Sequence, residues 1–180
     1  MAALGIGHRV ETLAYEVAEG YEIATAALVG QNLGARRPRR SVASVVAAAR
    51  QCSLALVPFG VLVATLASPI TRFFTSDPVV HAAAAKYLVV NGGLVVFMAF
   101  ELIADGAFTG WGYTLPAMWA GLVGNAARLP LAAALLQVQG LGVEAVWLAV
   151  GLSTVFKGTL KLAWFFRLAR RTLWLKVRAF

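Results

Sequence analysis

A chain of 180 residues that is 60% hydrophobic, 13% charged and of mean hydropathy +0.76 exceeds the apolar share of soluble domains, about 45–50%. A soluble chain of about 150 residues still leaves roughly 30% of its unfolded surface in water, so a soluble core is excluded and a lipid bilayer is the expected solvent. The net charge of +8 gathers at the ends of apolar stretches instead of spreading over one aromatic-rich face, which argues against nucleic acid as a partner.

A membrane helix needs about 20 mainly apolar residues. Five spans are predicted, at about 5–33, 41–70, 79–109, 115–138 and 143–168, giving an all-α membrane bundle in a single transmembrane domain over residues 1–180. The first span holds His8, Glu11, Tyr15, Glu16, Glu19 and Glu22. At about 100° per residue, Glu11, Glu19 and Glu22 share one stripe with His8, Tyr15 and Ala26. An acid at a helix centre costs about 2.5–3.5 kcal/mol against lipid, so the stripe must face protein or water. Two readings are open: an acidic cavity wall that binds cations or protons, or a solvated loop that takes in residues up to Glu11 or Glu16.

The first loop carries Arg36, Arg37, Arg39 and Arg40. No strand leads into its "GQNLGA", so it is not a phosphate cradle. In the second span Ser53–Ile70 has no charge, and Pro58 and Pro69 predict a kink and an exit. Cys52 stands alone, which leaves no intramolecular disulfide and no cysteine-based zinc site.

In the third span Asn91 and Gly92–Gly93 are expected to open backbone carbonyls to a cavity. Glu101 and Asp105 lie four apart and so on one helix face; they suit a proton- or cation-coupled site, or alternatively a helix-end pair in water. The fourth span places Asn125 and Arg128 beside Pro130. An arginine at that depth needs a carboxylate or a water-filled space, and Glu101 and Asp105 are the expected partners, whether in a structural ion pair or beside a substrate.

The fifth span runs into "LAWFFRLARRTLWLKVRAF". Residues 169–180 read as a basic amphipathic cytoplasmic tail on the anionic inner leaflet, each cation contributing about 1 kcal/mol, or as a span end with snorkelling side chains. Both basic clusters, in the first loop and at the C-terminus, fall on one side of a five-span chain, and that side is expected to be cytoplasmic. The N-terminus then lies outside, and since "MAALGIGHRVE" has no basic leader or cleavage site, further chain is expected to precede Met1. Two histidines, His8 and His81, and one cysteine form no triad or metal cluster, so neither enzyme chemistry nor a metal is expected.

Four stretches, in order, resemble one family. "ALVGQNLGARRPRRS" (Gly30, Gln31, Gly34, Ala35, Pro38) resembles a turn of the multidrug and toxic compound extrusion (MATE) family. "RFFTSDPVVHAAAAKYL" is similar to its loop between two later helices, "GAFTGWGYTLPAM" (Gly106, Gly110, Gly112, Thr114, Pro116) to its glycine-rich turn, and "RLPLAAALL" with Arg128 to the helix after it. The resemblance covers nearly the whole chain. It implies a partial second lobe, helices eight to twelve, of a twelve-helix, two-lobe carrier in a bacterial or archaeal plasma membrane. It also implies an antiporter exporting cationic or amphipathic organic compounds by alternating access in exchange for Na+ or H+, with no cofactor beyond that coupling ion. The cavity of such carriers lies between lobes, so a missing first lobe or a partner chain is implied.

Within that frame Tyr15, Glu19, Glu22, Asn91, Glu101 and Asp105 are the expected substrate- and cation-binding residues. Gly30, Gln31, Gly34, Gly110, Gly112, Pro116 and Arg128 are the expected structural motif. This sequence departs from the family at Thr109 and Tyr113, where many relatives have Arg and Asp, and at Arg36, often glycine in relatives. The alternatives are a lipid-linked saccharide flippase of related architecture and a non-transporting membrane remnant or subunit.

Overall fold

The structure, a computed structural model, describes residues 2–137, 142 and 144–177, with the backbone alone over 172–177. The described residues form eight helices: α1 Ala2–Gly34, α2 Pro38–Thr65, α3 Ala67–Phe74, α4 Pro78–Gly92, α5 Val95–Trp111, α6 Thr114–Ala126, α7 Arg128–Leu136 and α8 Glu144–Val177. Three stretches are long and apolar enough to cross a membrane: α2, α6 with α7, and α8 over Glu144–Arg171. The pair α4–α5, bent by 52°, makes a fourth when counted as one broken span. At 33 residues α1 is about 50 Å long, but its glutamates keep it below the same apolar threshold.

Because α1 is helical from Ala2 onward, the loop reading of its first glutamates is corrected: Glu11, Glu16, Glu19 and Glu22 all project from one helix. What shelters that helix is α5, its most extensive neighbour. Small residues make the approach possible. A Cβ on Gly106 would overlap the Glu22 carbonyl oxygen, and one on Gly110 the Ala26 carbonyl oxygen, a small-xxx-small seam of the kind that lets membrane helices touch backbone to backbone.

Local chemistry explains two of the helix ends directly. Asp77 caps α4, its Oδ1 accepting from the N–H groups of Val79 (2.8 Å) and Val80 (3.3 Å), and Pro78 fills the first helical position, where no N–H is needed. Gly112 ends α5 at φ 80°, a conformation glycine adopts at no steric cost. The first loop reaches a similar conformation without glycine: Arg36 has φ 57°.

The second span is realised as α2, which ends at Thr65, short of the expected residue 70. Pro58 lies inside α2, which continues to Thr65, and the chain breaks instead at Leu66. Pro69 is not an exit; it sits in the first turn of α3, where its missing N–H leaves no intrahelical bond unmade. The third span breaks at Gly93–Leu94, at the end of the glycine pair expected to open backbone carbonyls to a cavity.

The larger core joins α1, α2, α5 and α8 through Val29, Val45, Leu56, Ile103, Phe108 and Phe165. A second cluster sits around Tyr87, Leu88 and Trp147. Leu54, Val61, Leu115, Leu122 and Phe156 are exposed on the outside, a surface suited to lipid contact. The tail reading lies largely outside the described residues: α8 continues as helix to Val177, and neither the side chains beyond Arg171 nor residues 178–180 are described.

Candidate functional site

Glu101 and Asp105 sit one turn apart on α5, and α8, which packs beside α5, carries Lys157 and Lys161 at the same spacing. Side-by-side helices with matching four-residue steps bring such pairs into register. The Lys157 ammonium donates to Glu101 Oε1 (2.8 Å) and to Asn125 Oδ1 of α6 (2.9 Å). Lys161 donates to Glu101 Oε1 (3.2 Å) and Asp105 Oδ2 (2.8 Å). The lysine side chains are 5% and 3% exposed. Gly124 makes room for this, since the Lys157 stem lies where a Cβ at 124 would be. Two cations and two anions leave the quartet neutral, the condition under which ionised groups persist at such burial.

The quartet forms part of the wall of a cavity of about 690 Å³. His8, Glu11, Thr12 and Tyr15 of α1 line another part, and Asn125, Arg128 and Thr154 a third. Its charged walls are balanced: Glu11, Glu101 and Asp105 face Arg128, Lys157 and Lys161. Glu11 is held by α4, accepting from the Tyr87 hydroxyl (2.8 Å), and lies 3.3 Å from His8 Nδ1. Tyr87 is itself fixed edge-on against Trp147, with ring centroids 5.5 Å apart.

Arg128 is a correction. Its expected carboxylates are taken by the lysines, because α5 packs on α8 while Arg128, opening α7, meets α8 nearer its N-terminal end. Its Nε donates to Ser153 Oγ (3.0 Å) and its Nη2 to Thr154 Oγ1 (3.3 Å). Ser153 in turn donates to the Gly124 carbonyl (2.9 Å).

Of the expected binding residues, the structure brings Tyr15, Glu101 and Asp105 to the cavity wall, but not Glu19, Glu22 or Asn91. The Glu22 backbone is pressed against Gly106. Asn91 is buried and donates to the Tyr87 carbonyl (3.3 Å). The motif residues occupy helix ends: Gly30, Gln31 and Gly34 the last turns of α1, Gly110 and Gly112 the end of α5, Pro116 the first turn of α6. Lys157 and Lys161 went unnoticed in the sequence, although two lysines in the middle of an apolar span are a signal by themselves.

A model of the MatE family matches residues 1–161. The probable multidrug resistance protein NorM of Thermotoga maritima is 31% identical over 162 residues, covering 89% of this chain and 35% of NorM. Multidrug and toxin extrusion protein 1 of Xenopus tropicalis is 28% identical over 151 residues, 83% of this chain and 26% of its own length. Among solved structures, an inward-facing multidrug resistance MATE family transporter of the MOP superfamily aligns with a TM-score of 0.81 at 17% identity, over 92% of this chain and 38% of that one. A MOP superfamily transporter from Pyrococcus furiosus Vc1, described as having a binding pocket of reverse polarity, aligns at 0.78 and 21% identity, over 92% and 36%. These structural likenesses establish the fold. The chain spans about a third of the length of the relatives it matches. With the family model matched along most of its length, the chain belongs to the MatE family of multi-pass membrane proteins.

Proposed function

We propose that this chain is part of the second lobe of a secondary active exporter, which moves cationic or amphipathic organic compounds out across the plasma membrane in exchange for Na+ or H+, its C-terminus cytoplasmic. The observation that carries the reading is the cavity. Its volume of about 690 Å³ falls in the range that holds drug-sized compounds, roughly 300–1,000 Å³, and Glu11 and the aromatic Tyr15 line it for a cation beside Glu101 and Asp105, whose counter-charges at rest are Lys157 and Lys161. The names of the NorM and Xenopus relatives, multidrug resistance and toxin extrusion, support the same class of cargo.

Organic cation and coupling ion compete for the carboxylates, so loading one releases the other. A difference in affinity between the two orientations of the carrier then biases its rocking. Residues of a first lobe or a partner chain complete the facing wall.

The test is ethidium efflux from drug-sensitive bacteria expressing the protein, with its membrane content followed by immunoblot. Replacing both acids, Glu101→Gln with Asp105→Asn, should abolish efflux while the protein still reaches the membrane. Normal efflux from that double variant removes the pair from the mechanism.

A lipid-linked saccharide flippase is the second reading, and Arg128 favours it: its guanidinium meets hydroxyl groups instead of a carboxylate and so keeps its charge toward the cavity. Binding of a lipid-linked diphosphate sugar that disappears in Arg128→Gln, with no competition from ethidium, would select that reading.

A further inference from the structure

Glu101 Oε1, Asp105 Oδ2 and Asn125 Oδ1 converge from α5 and α6 much as the oxygen ligands of a small cation do. The cations they hold are the chain's own: each ammonium touches two of these oxygens, at 2.8–3.2 Å. We propose that Lys157 and Lys161 are tethered counter-cations of this carboxylate pair, occupying the oxygens that a Na+ ion would need, so that this cluster binds no Na+. The assignment rests on reading the cavity as the coupling site.

Three features make a free alkali cation a poor competitor. The quartet is already neutral, so an entering Na+ gains no net attraction to offset the loss of its hydration. It would have to displace a lysine whose side chain is only 3–5% exposed, stranding that charge in the bundle at a large cost. The lysines are also covalently attached and always present, whereas Na+ must be recruited from solution. Asp105 Oδ1 is the buried acceptor left without a partner among the described residues, and one oxygen does not make a cation site. Removing Lys161 changes this: the quartet falls to a net single negative charge and Asp105 Oδ2 loses the ammonium that holds it.

The experiment is a thermal-unfolding series on the purified chain in nanodiscs, with NaCl replaced by choline chloride at constant ionic strength so that screening is unchanged. The wild-type midpoint should be the same in both salts. Lys161→Met should gain a saturable rise in NaCl alone, about 3–6 °C at ten times its dissociation constant. A Na+-specific rise in the wild type that disappears in Glu101→Gln overturns the assignment. So does a folded Lys161→Met protein indifferent to Na+. Should Lys161→Met fail to fold, Lys157→Met, which frees the position between Glu101 and Asn125, is held to the same criteria. In parallel, broadening of the sodium-23 resonance by the wild type that Glu101→Gln removes would also overturn it. A Na+-sensitive wild type would leave the exporter reading standing, with Na+ as its coupling ion; the exporter reading falls only with the efflux test.

Discussion

Glu101 serves both lysines, whereas Lys157 serves one carboxylate, and this asymmetry predicts unequal costs for removing them. Removing one partner of a buried ion pair costs about 3–5 kcal/mol because the other charge is left uncompensated. In Glu101→Gln, Lys161 keeps Asp105 at 2.8 Å, but Lys157 keeps only the Asn125 amide oxygen. The glutamine oxygen can still accept one bond, so the lower end applies, about 3 kcal/mol. In Lys157→Met, Glu101 still pairs with Lys161 at 3.2 Å and the apolar stem is retained, so the expected cost is about 1–2 kcal/mol. The double variant removes a charge of each sign and leaves Lys161 with Asp105. It should therefore be less destabilised than the sum of the singles, by about 2 kcal/mol or more. The assay is reversible unfolding in mixed micelles titrated with SDS, followed by tryptophan fluorescence. If Glu101→Gln proves no worse than Lys157→Met, or if the two single effects simply add, Glu101 is not the shared hub of the quartet.

Two further outcomes test the scaffold. Gly110→Ala should lower the thermal midpoint, since the new methyl would meet both the Ala26 carbonyl and the Val29 side chain, with an overpacking cost of about 1–3 kcal/mol. Gly20→Ala, with nothing within 4 Å of its Cβ position, should be neutral or stabilising by up to about 1 kcal/mol; equal effects from the two alanines would show that the α1–α5 seam is loose. Arg36→Gly should raise the midpoint by relieving a left-handed residue at φ 57°, worth about 0.5–1 kcal/mol after glycine's own flexibility is allowed for. An unchanged or lower midpoint would mean that the arginine side chain makes a contribution larger than its backbone strain.

Much of this protein was legible residue by residue. The uncharged run from Ser53 to Ile70 and the arginines at 36–40 each act over a few neighbouring residues, so solvent choice and helix class follow from local chemistry. The four-residue step from Glu101 to Asp105 placed both acids on one face for the same reason. What a single helix cannot specify is which helix lies beside that face. Arg128 and the two lysines are all cations within apolar spans, and the period of each helix fixes only the direction its side chains point.

The choice of Lys157 and Lys161, some 56 residues away along the chain, came from α5 packing against α8. Likewise, the acidic stripe of α1 became part of a cavity wall only at His8, Glu11 and Tyr15, because the glycines at 106 and 110 press the backbone around Glu22 and Ala26 onto α5. The bend between α4 and α5 falls at Gly93–Leu94, at the glycine pair where the sequence pointed only to backbone carbonyls opening to a cavity. Local sequence decides what each segment can be, since helix formation and membrane partition depend on nearby groups. The partners of buried charges were decided by tertiary packing, because a charge in a bundle is compensated by whatever oppositely charged group the neighbouring helix brings within reach.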